Sequence, residues 1–238
     1  MKILSIGNSF SEDATRYLYG IARADGVSLK VVNLYIGGCS LSRHFRNLMA
    51  DASAYEFQIN GMTNTGIKIS IKDALLSDDW DIVTIQQQSL QSADYGTFCP
   101  YLEELAAAVR RLSPKAKLLL HQTWGYKPDS EKLGHTVYKT HEEMFRAIRE
   151  AYKVASDTVH SGRIPSGEAV LEANRLGAPH IYRDEFHMSR GFGRYLLGLV
   201  WYKTLTGRSV EQNTFRDLDE EVTEEEIRLA KEIVHQLP

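Results

Sequence analysis

The sequence has few cysteines, no long apolar run and no large excess of charge of either sign. Two cysteines in 238 residues are too few for a disulfide framework or a four-cysteine zinc site. No stretch approaches the roughly 18–20 apolar residues that a membrane-spanning helix needs. The formal net charge of −3 gives no electrostatic reason to expect nucleic acid or an anionic membrane as a partner.

The histidines and the N-terminus narrow the function classes further. None of the eight histidines forms a His-x-x-x-His pair, so we expect no metal site and no cofactor. The N-terminal apolar stretch, residues 3–6, is far shorter than the roughly 7–15 residues of a secretion-signal core. We therefore expect a cytoplasmic protein, and the length fits a single domain over residues 1–238.

Strand-like and helix-like segments alternate along most of the chain. The apolar patterns predict strands at 2–6, 29–36, 81–85, 117–121 and 158–164. They predict helices at 14–24 (with Ser11 as N-cap), 42–50, 101–112, 141–156, 189–205 and 223–237. Residues 55–71 alternate with period two on both sides of a turn, which favours a β-hairpin. The pattern predicts an α/β fold: a mostly parallel, five-stranded sheet with helices on both faces and a small hairpin excursion.

A serine stands where the first strand gives way to a helix. Ser9 follows Gly7 at the carboxyl end of that strand, the edge where open α/β sheets bind ligands. A serine hydroxyl needs an adjacent base to act as a nucleophile, and His187 could supply it. Asp184, three residues earlier, could orient the imidazole and stabilise its charged form. Oxyanion donors could come from the backbone N–H groups of Ser9 and Gly38 and from a glutamine after the third strand.

Three short motifs occur in an order that resembles a known family. They are Gly7–Ser11 (GNSFS), Gly37-Gly38 after the second strand, and Asp184-x-x-His187. Together they resemble the first, second and last blocks of the SGNH (GDSL-type) hydrolases, with asparagine at position 8 where many members have aspartate. The closest similarity is to a poorly characterised bacterial branch near the sialate and carbohydrate acetylesterases. The resemblance implies a three-layer α/β/α, flavodoxin-like fold and a triad of Ser9, His187 and Asp184.

The third block departs from the family pattern. This chain has Gln86–Ser89 (QQQS) where many members have Gly-x-Asn-Asp. Carbohydrate acetylesterases of the same clan commonly carry Gln-Gly-Glu-Ser-like segments, and that comparison aligns Gln86 with their glutamine. Either Gln86 or Gln88 could donate to an oxyanion, and Gln86 is preferred. Both could equally be structural amides at the end of the sheet.

Each candidate residue also has a structural interpretation. Ser9 could cap the first helix, and Asp184 could cap a helix that begins near His187. Trp124, just past the fourth strand, could line a substrate pocket or pack near Pro128. Cys39 is a rival nucleophile, although a small buried thiol is the commoner use of such a residue.

The residues and the resemblance together predict a serine esterase. Its substrate would be a small-molecule ester, with an acetyl or similar small acyl group on a sugar favoured by the resemblance. The alternative is a non-catalytic carbohydrate- or ligand-binding module with the same fold. A nucleotide-binding protein is disfavoured because both Gly-x-Gly-x-x-Gly and Gly-x-x-x-x-Gly-Lys-[Ser/Thr] are missing. The sequence leaves the oligomeric state open.

Overall fold

A computed structural model describes residues 1–237, and the strands in this range form one seven-stranded sheet. The order across the sheet is β4-β3-β2-β1-β5-β6-β7. The strands are β1 Lys2–Gly7, β2 Lys30–Tyr35, β3 Tyr55–Ile59, β4 Lys68–Ile69, β5 Ile82–Ile85, β6 Lys117–His121 and β7 Gly162–Ile164.

The α-helices connect these strands and close the chain. They are α1 Ser9–Thr15, α2 Leu18–Ala24, α3 Leu41–Met49, α4 Ile71–Leu76, α5 Tyr101–Leu112, α6 His141–Thr158, α7 Ser166–Arg175, α8 Phe192–Thr206 and α9 Glu224–Gln236. Thr223 and Glu226 form a capping box at the start of α9. Within residues 1–237, no helix combines the length and apolar character needed to cross a bilayer.

The parallel part of the sheet has the flavodoxin-like strand order. Strands β2, β1, β5, β6 and β7 are mutually parallel, so in chain order the parallel strands run 2-1-3-4-5. The predicted fold class is therefore confirmed. The predicted hairpin, β3 and β4, is not a separate excursion, because β3 pairs antiparallel with β2 and extends the same sheet to seven strands.

Alternate strand residues enter two separate apolar cores, one on each face of the sheet. On β1, Ile3 packs into one core and Leu4 into the other, and Val31 and Val32 of β2 divide in the same way. The first core includes residues of α1, α2, α7, α8 and α9, and the second includes residues of α3, α4, α5 and α6. The molecule therefore has three layers, with the sheet between two layers of helices.

The first helix differs from its prediction in ways that affect the candidate site. It begins at Ser9 rather than Ala14, and its N-cap is Asn8 rather than Ser11. The Ser11 hydroxyl instead donates to the Asn8 carbonyl oxygen (2.8 Å) or to Asn33 Oδ1 (2.7 Å). The predicted continuous helix is also divided, because α1 ends at Thr15 and α2 starts at Leu18.

Other element boundaries shift with local context. The predicted strand at 158–164 is reduced to the three residues of β7, because α6 extends to Thr158. Helices α4 and α7 were not predicted. The long helix near the C-terminus begins at Phe192, three residues later than predicted.

Candidate active site

Asn8, rather than Ser9, caps the start of α1. The Asn8 side chain accepts a hydrogen bond from the Phe10 N–H at 3.0 Å, which satisfies one unpaired donor of the helix N-terminus. Gly7 makes this tight turn possible, since a Cβ atom there would lie 2.2 Å from Ser11 Oγ. The structure therefore does not support the alternative that Ser9 caps the first helix.

The structure brings Ser9, His187 and Asp184 into one continuous chain of hydrogen bonds. Ser9 Oγ lies 2.8 Å from His187 Nε2, and His187 Nδ1 lies 2.7 Å from Asp184 Oδ2. These residues come from opposite ends of the sequence, 178 positions apart for the serine and histidine. Both distances lie within the range of a nucleophile–base and a base–orienter pair.

Asp184 is held ionised by its neighbours. Its Oδ1 atom accepts from the backbone N–H groups of His187 at 2.8 Å and Phe186 at 3.0 Å. Partial burial alone would raise the pKa of Asp184, but these backbone donors and the His187 ring together lower it below the usual value. An ionised carboxylate at this place fixes the imidazole with its proton on Nδ1, which leaves Nε2 free to accept a proton from Ser9.

Ser9 and His187 line a small pocket of about 220 Å³. Besides Ser9 and His187, its lining includes Tyr35, Gly38, Gln88 and Phe186. Two larger surface depressions of about 430 and 550 Å³ lie beside Arg16, and neither includes Ser9 in its lining. The smaller pocket is the candidate site because a possible nucleophile and its base meet there.

Gly38 occupies a turn that favours glycine. The Cys39 N–H donates to the Ile36 carbonyl at 3.2 Å, and Gly38 sits inside this turn with φ of +60°. A Cβ atom at Gly38 would meet no heavy atom within 4 Å, so the backbone conformation rather than space accounts for glycine here. The structure thus puts the predicted second-block glycine at the rim of the pocket.

The two candidate glutamines occupy different environments. Gln86 is buried, its Nε2 donates to Asn8 Oδ1 at 2.8 Å and its Oε1 accepts from His121 Nδ1 at 2.7 Å. The preferred choice of Gln86 as the oxyanion donor therefore needs correction, because its amide is engaged below the pocket. Gln88 lines the pocket, and its Oε1 accepts from the Gln91 N–H at 3.2 Å.

Trp124 is fully buried and is not part of the pocket lining. Its ring stacks on Phe10 with centroids 4.0 Å apart, and its Nε1 donates to the Phe186 carbonyl at 2.7 Å. The expectation that Trp124 lines a substrate pocket is not supported, and the contacts instead show a packing role, with Phe10 as the stacking partner. Trp124 instead connects the start of α1 to the segment that carries His187.

Asp13 is a buried residue near the site that the sequence did not single out. Its carboxylate, which is fully buried, lies 2.8 Å from Arg183 Nη1 and 2.8 Å from Arg194 Nε. Arg183 precedes the Asp184–His187 segment by one residue. The buried side of α1 also carries Ser11 and Thr15, so the pattern of apolar residues gives no signal that Asp13 is buried and paired.

Cys39 is unsuited to act as the nucleophile. The thiol is buried, and burial raises its pKa to about 12. It lies 3.5 Å from His44 Nδ1, but burial also lowers the pKa of His44 to about 3. Across residues 1–237, no three histidine, cysteine or acidic side chains cluster in a way that would hold a metal ion.

Comparisons with known proteins place the chain in a family. A family model described as "Domain of unknown function (DUF4886)" matches residues 2–237. A crystal structure of a member of that family from Bacteroides uniformis is 31% identical, with a TM-score of 0.90, over 99% of this chain and 93% of that one. No curated protein matches the sequence.

Two more distant structures share the fold. A candidate SGNH hydrolase from Slackia heliotrinireducens is 23% identical, with a TM-score of 0.61, over 86% of this chain and 98% of that one. An acetyl xylan esterase from Geobacillus stearothermophilus is 16% identical, with a TM-score of 0.53, over 91% and 97%. The predicted resemblance to the SGNH hydrolases is thus confirmed at the level of the fold.

Proposed function

The chain belongs to the DUF4886 family, and we propose that it is a serine esterase that cleaves small acyl esters. The observation that carries this proposal is the unbroken contact from Ser9 through His187 to Asp184. The SGNH fold of the chain supports it, because that fold brings these residues together from distant parts of the sequence.

Ser9 would attack the ester carbonyl while His187 Nε2 takes its proton. Asp184 stabilises the imidazolium that forms, and its backbone hydrogen bonds keep it in place. The imidazolium then gives the proton to the leaving alcohol as the C–O bond breaks, which leaves an acyl group on Ser9. Water repeats the sequence, with His187 as its base, and releases the carboxylic acid and free Ser9.

The negative charge that develops on the carbonyl oxygen needs fixed donors. We propose the backbone N–H groups of Ser9 and Gly38, with Gln88 Nε2 as a third donor. The Ser9 N–H belongs to the first turn of α1, where backbone donors have no partner within the helix. Gln88 lines the pocket, and its Oε1 atom accepts a hydrogen bond from the Gln91 N–H. Its Nε2 atom takes no part in that bond and is the proposed donor.

The pocket volume supports a small acyl group. About 220 Å³, lined by the aromatic rings of Tyr35 and Phe186, leaves room for an acetyl group and part of an alcohol rather than for a long chain. A related fold occurs in an enzyme named as an acetyl xylan esterase. We therefore propose an acetylated carbohydrate as the substrate class.

Turnover of p-nitrophenyl acetate by the wild type and by Ser9→Ala tests the proposed activity. We expect the variant to lose roughly 10⁴-fold or more in kcat, as when a triad nucleophile is removed elsewhere. Ser42→Ala is the control, because Ser42 contacts the Ser40 hydroxyl and does not line the pocket.

Covalent labelling separates an enzyme from a binding module. A fluorophosphonate probe should modify wild type and Ser42→Ala at Ser9, as located by peptide mass spectrometry, and leave Ser9→Ala unmodified. Equal ester turnover by wild type and Ser9→Ala would refute the assignment. Carbohydrate binding without labelling would favour the non-catalytic module. Acetate release from acetylated xylo-oligosaccharides, compared with acetylated glycerol, then tests the substrate class.

A further inference from the structure

Four buried polar side chains form one line of hydrogen bonds beneath the candidate site. Ser166 Oγ lies 3.0 Å from His121 Nε2, and His121 Nδ1 lies 2.7 Å from Gln86 Oε1. Gln86 Nε2 lies 2.8 Å from Asn8 Oδ1, and Asn8 Nδ2 lies 3.0 Å from the Cys39 carbonyl oxygen. All four side chains belong to buried residues, and the line crosses the carboxyl ends of β7, β6, β5 and β1 toward the turn after β2.

Backbone groups at one end fix the direction of every bond in this line. The Phe10 N–H can only donate, so it must meet the Asn8 oxygen, Oδ1. The Cys39 carbonyl can only accept, so it must meet the Asn8 nitrogen, Nδ2. Gln86 must then donate through Nε2 and present Oε1 to His121. A reversed line would set the Asn8 oxygen against the Cys39 oxygen and its amide against the Phe10 N–H.

The same reasoning fixes the protonation of His121. Nδ1 must carry the proton that Gln86 Oε1 accepts, which leaves Nε2 to accept from the Ser166 hydroxyl. Burial lowers the pKa of His121 to about 3, so the ring is neutral near neutral pH. The line therefore has one arrangement of donors and acceptors and no titratable step near neutral pH.

We propose that Asn8 is the positioning residue of the oxyanion site, and that Gln86, His121 and Ser166 lock its amide in the required orientation. This inference rests on the proposed function. The oxygen of the Asn8 amide binds the Phe10 N–H in the first turn of α1, where the Ser9 N–H also lies. The nitrogen of the same amide binds the carbonyl of Cys39, which follows Gly38. A single side chain thus connects both proposed backbone donors.

The role predicts an effect on the transition state more than on substrate binding. Loss of one oxyanion donor costs about 10²–10³-fold in kcat in a protease, because the donor acts on charge that develops during reaction. Misplacing two backbone donors without removing them should cost less. We expect roughly tenfold or greater loss of kcat, with KM changed by less than about threefold.

Asn8→Asp tests the contact with Cys39, because aspartate, which many SGNH hydrolases have at this position, has no N–H to donate to the Cys39 carbonyl of this chain. The variant keeps the shape and the acceptor for Phe10, but it replaces the donor to the Cys39 carbonyl with a carboxylate oxygen. Asn213→Asp is the matched control. Asn213 is buried, its Nδ2 donates to the Ile21 carbonyl at 2.8 Å, and its Oδ1 accepts from the Phe215 N–H at 3.1 Å, all away from the pocket.

For both variants, kcat and KM are measured on folded protein with p-nitrophenyl acetate. Asn8→Asp should lose kcat as stated, and Asn213→Asp should retain the kcat of the wild type even if its Tm falls. Wild-type kcat in folded Asn8→Asp, or an equal loss in Asn213→Asp, would overturn the inference.

Gln86→Glu and a histidine spectrum test the rest of the line. Gln86→Glu puts a carboxylate oxygen against Asn8 Oδ1 and should also lower kcat more than it changes KM. Independently of any folding defect, a long-range 15N–1H spectrum of the wild type should show His121 as the Nδ1-protonated tautomer from about pH 5 to about pH 9. His121→Gln assigns the resonance. An Nε2-protonated or titrating ring would overturn the proposal.

The outcomes separate this inference from the esterase assignment. If the wild type neither turns over esters nor labels at Ser9, the proposed function fails. If the wild type is active and labels at Ser9 but Asn8→Asp matches it, the esterase assignment stands and the positioning role fails.

Discussion

Asp13 Oδ2 accepts a hydrogen bond from the backbone N–H of Met188 at 3.1 Å. Asp13 lies on α1, about one helical turn after Ser9, and Met188 directly follows His187. The same carboxylate pairs with Arg183, at the other end of residues 183–188, which we call the histidine segment because it carries His187. The segment is thus held on both flanks by a group on the helix that carries the proposed nucleophile.

Asp13→Asn should cost both stability and activity. The amide cannot neutralise Arg183 and removes the nearest carboxylate of Arg194, and breaking a buried ion pair from one side costs roughly 3 kcal/mol. We expect that loss in the free energy of unfolding measured with urea, together with a lower kcat in the fraction that remains folded. Asp25→Asn is the control, because Asp25 contacts Tyr202 far from the pocket. An unfolding curve like that of the wild type would contradict the anchoring role.

Asp184 should contribute a pH-dependent part of the stability. Its pKa is lowered in the folded protein, so its contribution is present above the unfolded value of about 3.9. That contribution is lost as the pH falls through the lowered folded value. The Tm difference between wild type and Asp184→Asn should therefore be largest above about pH 5 and shrink below about pH 4.

Thermal unfolding from about pH 7 to about pH 3 measures this difference. A gap that stays constant on acidification would show that the carboxylate charge is not responsible. The same variant should lose most ester turnover at neutral pH, because an asparagine no longer holds His187 with its proton on Nδ1.

Trp124→Phe should weaken the hold on the histidine segment. The phenyl ring can still stack on Phe10, but the Phe186 carbonyl loses its donor, which costs about 1–2 kcal/mol. Trp80→Phe is a matched control, since Trp80 is also buried and its Nε1 also donates to a backbone carbonyl, that of Ala74 at 2.8 Å, away from the pocket.

Chemical denaturation and ester turnover of the two variants decide the point. Each variant loses one hydrogen bond from an indole to a backbone carbonyl, but Trp124→Phe should lose more kcat than Trp80→Phe. Equal effects on kcat would show that the contact of Trp124 with the Phe186 carbonyl does not help to position His187.

Gly7→Ala should disturb the turn that presents Ser9. The added methyl carbon would lie 2.2 Å from Ser11 Oγ and 2.8 Å from Ser11 Cβ, so the start of α1 must shift. We expect about 1–3 kcal/mol of destabilisation from overpacking and a clear loss of turnover. Gly134→Ala, where an added methyl meets nothing within 4 Å, should leave both measurements unchanged.

The parts of the site that follow from strand ends could be predicted from the sequence. Ser9 follows the end of β1, Gly38 follows the end of β2, and parallel strands bring such ends to one edge of the sheet. The Asp184-x-x-His187 spacing also suffices for the observed contact, because the carboxylate needs only a local turn to reach the ring.

The roles of Gln86 and Trp124 could not be predicted in the same way. Strand β5 ends at Ile85, so the two-residue alternation of a strand says nothing about where Gln86 and Gln88 point beyond it. The partners of Trp124 are Phe10 and the Phe186 carbonyl, which are distant in sequence. For the helix start, Asn8 and Ser11 are both good caps, and only tertiary contacts of Ser11 with Asn33 decide between them.

The short outer strands of the sheet limit how this protein can associate with other chains. Strand β4 has two residues and β7 has three, so each border offers few free backbone groups for another strand to pair with. The exposed Lys68 on β4 adds a charge that disfavours such pairing. Growth of the sheet from one molecule into the next is therefore suppressed at both borders, and self-assembly would have to proceed through helices or loops.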